Sequence, residues 1–186
     1  MRRFLADSWL VLVLGTTFSV ALAATQTTLA PRIEANRRAA LTSAVFEVVP
    51  GTVRYAERRV GLRSVYECFG AEGRPLGWAV PASDFGFQDR IDVVFGLSLD
   101  GRSILGLSVV EDKETPGLGN RIEEEAWRAQ YAGLDAARAI TVVKRPRRDA
   151  SQEVQAISGA TISSQAVTRI VNDANRELRP ELREAR

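Results

Sequence analysis

The segment SWLVLVLGTTFSVALAA, residues 8–24, is 17 residues long without a single charge. That is near the lower limit for crossing a hydrocarbon layer about 30 Å thick. Arg2 and Arg3 precede it, and because positive charge is retained on the cytoplasmic side, everything after residue 24 is expected on the outer face. The run therefore divides the chain into a membrane-targeting part and an exported part. The triplet Ala21-Leu22-Ala23 also fits a signal-peptidase site after a short apolar core. From the residues alone, a retained anchor and a removed signal peptide both stand, and both export the remainder.

Beyond a polar linker, TQTTLAPR, residues 32–49 carry Ile33, Leu41, Ala44, Val45 and Val48 at helical spacing and stop at Pro50-Gly51. Two strand-like runs follow, 64–69 and 76–82, joined by the turn residues GAEGRP. A second pair, 90–99 and 103–112, flanks Asp100-Gly101, a strong hairpin signal because both turn positions need positive φ. A helix over 121–132 and a strand over 137–144 come next, then RPRRD, read as a solvated basic turn. Val167, Ile170, Val171, Ala174 and Leu178 give one apolar face to a last helix beginning near Ser163. The order predicts an α+β chain: an N-terminal membrane helix, then one domain with a twisted, mainly antiparallel sheet packed by helices. Its divisions are anchor and linker over 1–30, the exported domain over 31–180, and a flexible tail over 181–186, where Pro180 interrupts a charged stretch.

Composition narrows the chemistry. The 186 residues include no histidine and one cysteine, Cys68, which removes the usual ligands of zinc, haem and iron-sulfur centres. It also removes Ser-His and Cys-His nucleophile pairs and any intramolecular disulfide. Cys68 lies in an apolar strand-like run and is read as a buried small hydrophobe. Redox chemistry would need a bound organic cofactor. Lys+Arg total 25 against 23 Asp+Glu, a net charge of +2, too even a balance for a nucleic-acid partner.

Two loops are built for close approach. In KETPGLGN, residues 113–120, Pro116-Gly117 fits the centre of a type II turn and Gly119 frees the backbone again. Lys113 is one of only two lysines among the 25 basic residues, so a compact ammonium stands at the loop entrance. In AISGATISS, residues 156–164, small residues and hydroxyls precede the last helix, where unpaired amides and the helix dipole favour an anion. A plain helix cap is the alternative for Thr161 or Ser163. A cap needs one hydroxyl, and Ser158, Thr161, Ser163 and Ser164 supply several.

SGAT near the C-terminus and KETPGLG upstream, together with VVPGT, GRPLGWAV and the run VFGLSLDGRSILGLSVVED, resemble the exported FMN-binding domain family, and within it the G subunit of Rnf electron transport complexes. The resemblance extends over nearly the whole chain. It implies FMN esterified through its phosphate to Thr161 by a flavin transferase, with Ser158, Gly159 and Ala160 beside the attachment. It places Lys113, Glu114, Thr115, Gly117, Leu118 and Gly119 near the flavin, and assigns no catalytic residue and no metal to the chain itself. The implied role is electron transfer on the periplasmic face of the inner membrane, within an ion-translocating ferredoxin:NAD oxidoreductase whose integral membrane subunits are its partners. It also implies retention of the anchor. NAD itself is not expected to bind, since no strand-linked G-x-G-x-x-G occurs. A stand-alone exported FMN carrier, the corresponding subunit of a sodium-pumping quinone oxidoreductase and a non-catalytic exported binding module are the alternatives. Two departures stand out: Asp112 occupies a position often histidine in the family, and residues 84–91 read DFGFQDRI. The first puts a carboxylate where the resemblance would place a possible proton donor near the flavin.

Overall fold

The computed structural model describes residues 2–61, 63–148 and 152–184. The chain forms two compact units, Met1–Ala39 and Ala40–Arg186. Helix α1, Arg2–Val48, begins in the first and ends in the second. It is long and apolar enough to cross a membrane. The linker expected at TQTTLAPR is helical. Thr25, Thr27 and Thr28 each return a hydroxyl hydrogen bond of 2.9, 3.0 and 2.7 Å to the carbonyl four residues back, so these polar side chains are satisfied without leaving the helix. Pro31 is accommodated within it.

The second unit is built on a five-stranded antiparallel meander in sequence order: β1 (Arg54–Val60), β2 (Arg63–Phe69), β3 (Pro75–Phe85), β4 (Arg90–Ser98) and β5 (Ile104–Glu111). The hairpin at Asp100-Gly101 forms where expected, with Gly101 at φ +67°. Strand β1 was not anticipated, because RYAERRV is charged. It is one edge of the sheet, and charged side chains there discourage pairing with another chain.

Both faces of the sheet are covered. Ile91, Val93, Phe95 and Leu97 of β4 join Val65, Val80 and Ile104 in a core shared with α3, Thr161–Glu184. The opposite face, through Cys68, Ala79 and Val94, meets Ala44, Val45, Val48 and Val49 at the end of α1. Cys68 is fully buried and burial pushes its thiol up, as expected of a small hydrophobe. The end of α1 lies so close to the sheet that a Cβ on Gly96 would stand 2.1 Å from the Val48 carbonyl oxygen, and one on Gly106 3.3 Å from it.

The stretch expected as one helix over 121–132 is broken. A 3₁₀ turn, Gly119–Glu123, is followed by Glu124 in extended conformation, then α2 (Glu125–Arg128) and a 3₁₀ turn Ala129–Tyr131. Ile122 and Trp127, five positions apart, would diverge by about 140° on a continuous helix; the break lets both be buried. Trp127 Nε1 donates to the Gln155 carbonyl at 2.9 Å, and the Tyr131 hydroxyl meets Thr168 Oγ1 at 2.7 Å.

The strand expected over 137–144 shortens to β6, Thr141–Val143, which pairs in parallel with an unanticipated β7, Glu153–Gln155. Upstream of β6 the backbone is held by side chains of α3 instead. Asn172 exchanges two bonds of 2.9 Å with Ile140, and Asn175 Nδ2 donates to the Ala136 carbonyl. In the basic turn, Arg145 pairs with Glu153 at 2.6 Å and Arg147 donates to the Gln130 carbonyl; Asp149 lies outside the described residues. Residues 181–184, read as tail, continue α3 with Leu182 buried, while residues 185 and 186 lie outside the described residues.

Gly96→Ala is expected to cost at least ~2 kcal/mol, because the added methyl meets backbone rather than a movable side chain. Gly106→Ala should cost clearly less, and denaturant unfolding of the two variants measures the difference.

Candidate functional site

The loop after β5 adopts the turn expected from its sequence. Leu118 N–H donates to the Thr115 carbonyl at 3.1 Å, and Gly117 has φ +75°, as the third residue of a type II turn requires. Asn120 Oδ1 accepts the Gly117 N–H at 2.7 Å and locks the turn.

Glu114 is the centre of the assembly. Its side chain is 4% exposed. Oε1 accepts the N–H groups of Phe87 and Gln88 at 2.9 and 3.0 Å, and Oε2 accepts the Ser163 hydroxyl at 2.5 Å. Three segments distant in sequence, the 86–88 bend, the 113–120 loop and the start of α3, thus share one carboxylate. Two glycines make room for it. A Cβ on Gly86 would lie 2.4 Å from Glu114 Oε1, and one on Gly119 2.7 Å from Glu114 Cβ.

Helix α3 starts at Thr161, two residues before the expected Ser163. Ser163, a cap candidate from the sequence, does not cap it, and neither does Ser164. Ser163 is committed to Glu114, while Ser164 Oγ accepts the Ile157 N–H at 3.1 Å and donates to the Ala160 carbonyl at 2.9 Å. The cap position falls on Ala160, whose carbonyl accepts the Ser164 N–H at 3.0 Å. The N–H groups of Thr161, Ile162 and Ser163 precede the first intrahelical bond and keep their donor capacity. Thr161 is half-buried, and its hydroxyl has no hydrogen-bond partner among the described residues. Ser158 and Gly159 are exposed, and Ala160 is buried.

The two loops predicted to cooperate do meet. Gly159, at φ +83°, passes so near Leu118 that a Cβ would stand 3.1 Å from Leu118 Cδ2, and one on Gly119 would stand 3.0 Å from Ser163 Oγ. Thr115 reaches Gln88 through its hydroxyl at 3.3 Å. Lys113 is exposed and pairs with Asp89 at 3.4 Å. The Asp89 carboxyl is held below its ordinary range, first by the Arg90 N–H and then by Lys113.

Sequence reasoning missed the part played by Phe87, Gln88 and Ser163. Phe87, Leu118 and Ile162 are 63%, 47% and 53% exposed, unusual for side chains of this size around a polar loop. The aromatic pair in DFGF was the available signal.

Asp112 accepts the Glu114 N–H at 2.9 Å through Oδ1, and its Oδ2 is buried without a hydrogen-bond partner among the described residues. The neighbouring Glu123 carboxyl is raised above its ordinary 4.5, chiefly by burial and then by Asp112, against a lowering pull from Arg128.

These features permit a definite chemistry: an anion at the start of α3 next to a hydroxyl without a partner among the described residues, under a rim of exposed apolar side chains. Residues 86–176 match the model of the FMN-binding domain family. Among full-length relatives, the chain is 34% identical over 139 residues to the G subunit of the Na(+)-translocating ferredoxin:NAD(+) oxidoreductase complex of Acetobacterium woodii, covering 70% of this chain and 65% of that one. It is 34% identical over 94 residues to the C subunit of the Na(+)-translocating NADH-quinone reductase of Vibrio anguillarum, covering 47% and 37%. The crystal structure of NqrC from Shewanella oneidensis shares the fold with a TM-score of 0.60 at 20% identity, over 72% of each chain. The matched region thus spans less than two thirds of either full-length relative.

Glu114→Ala is expected to cost about 2–3 kcal/mol, since two backbone donors and the Ser163 hydroxyl lose their acceptor together. Glu114→Gln keeps one oxygen for the two N–H groups and should cost under ~1 kcal/mol; thermal unfolding compares the two.

The protonated Glu123 contributes stability that is fully present below its unfolded value near 4.5 and lost as pH rises through the raised folded value. Glu123→Gln should therefore stabilise the protein at neutral pH by ~1 kcal/mol or less, the scale of solvent-screened pairs. The gain should vanish below pH ~4.5 in unfolding curves taken against pH.

Proposed function

We propose that Thr161 carries FMN through a phosphoester, and that the chain is the electron-transfer subunit of an Rnf-type, ion-translocating ferredoxin:NAD oxidoreductase. The observation carrying this reading is the hydroxyl of half-buried Thr161, without a hydrogen-bond partner among the described residues, at the positive end of a 24-residue helix. The residues around it fit the group. First-turn N–H groups would face the phosphate, Ser158 adds a hydroxyl, and the exposed bend at Ser158-Gly159 leaves room for the transferase, which would displace the leaving group from an activated FMN phosphoester as Thr161 Oγ1 bonds phosphorus and loses its proton. Leu118, with Phe87 and Ile162, would shield a flat ring from water, and Thr115, Gly117 and Gly119 would bring backbone near it. Lys113 would add positive charge. FMN, when bound, supplies reversible electron uptake and release. Glu114 and the glycines it packs against keep the two loops at fixed spacing, which is the chain's own contribution.

In this reading α1 is a retained single-pass anchor in the inner membrane and the folded unit stands in the periplasm. The partners are integral membrane subunits of the complex and, during maturation, a flavin transferase. The second reading, the corresponding subunit of a sodium-pumping quinone reductase, is favoured by the similarity to the Vibrio anguillarum protein. Membranes lacking the chain separate the two: the first reading expects loss of ferredoxin-dependent NAD reduction, the second loss of quinone reduction by NADH.

Co-expressed with a flavin transferase, the protein is expected to run on a denaturing gel as a band fluorescent under ultraviolet light. Its intact mass should exceed that of the polypeptide by FMN less one water. Thr161→Val, which preserves shape while removing the hydroxyl, should abolish both signals without changing the thermal midpoint of the polypeptide. A folded wild-type chain without the band would remove the covalent-flavin reading and leave a binding module.

A further inference from the structure

The 113–120 loop hangs from a carboxylate that is only half accounted for. Asp112 Oδ1 accepts the Glu114 N–H at 2.9 Å, and Oδ2 is buried with no hydrogen-bond partner among the described residues. A buried acceptor left without a donor is costly, more so when it is charged. Within hydrogen-bond reach stands the Glu123 carboxyl, which when ionised is only another acceptor. Two carboxylates so placed repel, and a single proton between them converts the repulsion into a charge-assisted hydrogen bond.

The charges around the pair leave that proton necessary. Arg128 is the cation that acts on Glu123, and its donors are engaged elsewhere. Nη1 reaches Glu47 at 2.5 Å and the Leu107 carbonyl at 3.0 Å, and Nε reaches the main-chain carbonyl of Glu123 at 2.8 Å. Glu47, on α1, gives its other oxygen to Ser108. On the loop, Lys113 pairs with Asp89, and on the 3₁₀ turn Arg121 pairs with Glu124. On the sheet, Asp92 pairs with Arg90, and Glu111 is engaged as well. The Glu114 carboxylate is turned toward Phe87, Gln88 and Ser163. No third His, Cys, Asp or Glu completes a metal-ion site with the pair among the described residues.

We propose that Asp112 and Glu123 form a single proton-binding site that latches the 113–120 loop. With the shared proton in place, Asp112 Oδ2 is satisfied and Oδ1 stays on the Glu114 N–H. Without it, the two carboxylates push apart, and the Glu114 N–H loses its fixed acceptor. Glu123 is exposed, so the proton comes from solvent. Its uptake forms one O–H bond within the pair and moves no electron. The use of the latch rests on the flavin reading: negative charge added to a flavin beside this loop favours proton uptake by the pair, and by linkage the proton favours reduction.

The test follows the full chain in neutral detergent by carboxyl carbon and amide NMR between about pH 4 and 8. The Glu123 carboxyl and the Glu114 N–H should titrate together. Asp112→Asn removes the like charge, so the proton affinity of Glu123 should fall at least about threefold. Glu123→Gln replaces the acid O–H with an amide N–H and should hold the Glu114 signal at its low-pH position throughout. The proposal is overturned if Glu123 titrates alike in wild type and Asp112→Asn, or if the Glu114 N–H does not follow Glu123. In flavin-loaded protein, the midpoint potential of wild type should fall more steeply with pH than that of Glu123→Gln across the same titration; equal slopes overturn the link to reduction. Absence of the fluorescent band would instead remove the flavin reading, and the unloaded titration would still decide the latch.

Discussion

The candidate site depends on a single buried carboxylate. A charged oxygen pair removed from water is tolerable only when donors surround it, and Glu114 has three: two backbone N–H groups and one hydroxyl. Because those donors come from different segments, their shared acceptor fixes the spacing of the loops more firmly than apolar contact could. The two nearby glycines are steric consequences of that choice. This gives KETPGLG a division of labour, in which the glutamate is internal and the proline-glycine turn is the part offered to a ligand.

The sheet makes a comparable use of backbone proximity. Strand β4 is apolar on both faces because α3 covers one and the end of α1 the other. Gly96 admits the last α1 turn at a distance no side chain would permit, and Gly106 at one where a Cβ would be only slightly crowded. The same close packing explains why Cys68, on the α1 side, behaves as a filler.

Much of the fold was legible in the sequence, and the exceptions share a cause. Alternation and Asp100-Gly101 located β2 to β5, and helical spacing located α3. Strand β1 was hidden because an edge strand carries charge, which the search for apolar runs passes over. The break at Glu124 was hidden because local propensity favours helix there, while the need to bury Ile122 and Trp127 on one side is a tertiary demand. The strand over 137–144 was overextended because Asn172 and Asn175, more than thirty residues away, satisfy its backbone. At the site, Thr161 and both loops were visible as small-residue excess. The roles of Ser163 and Phe87 were not, since a side chain recruited by a distant carboxylate leaves no local pattern.

The order of the strands bears on how the protein matures. In a meander each ladder joins neighbours along the chain, so the sheet can assemble from hairpins with little loop entropy to overcome. The Glu114–Ser163 link spans 49 positions and closes only when the C-terminal helix arrives. The scaffold is thus expected to be complete before Thr161 is set in place, and an enzyme acting on that threonine would encounter a finished domain rather than a nascent chain. The fold itself would then serve as the signal that the polypeptide is ready to be modified.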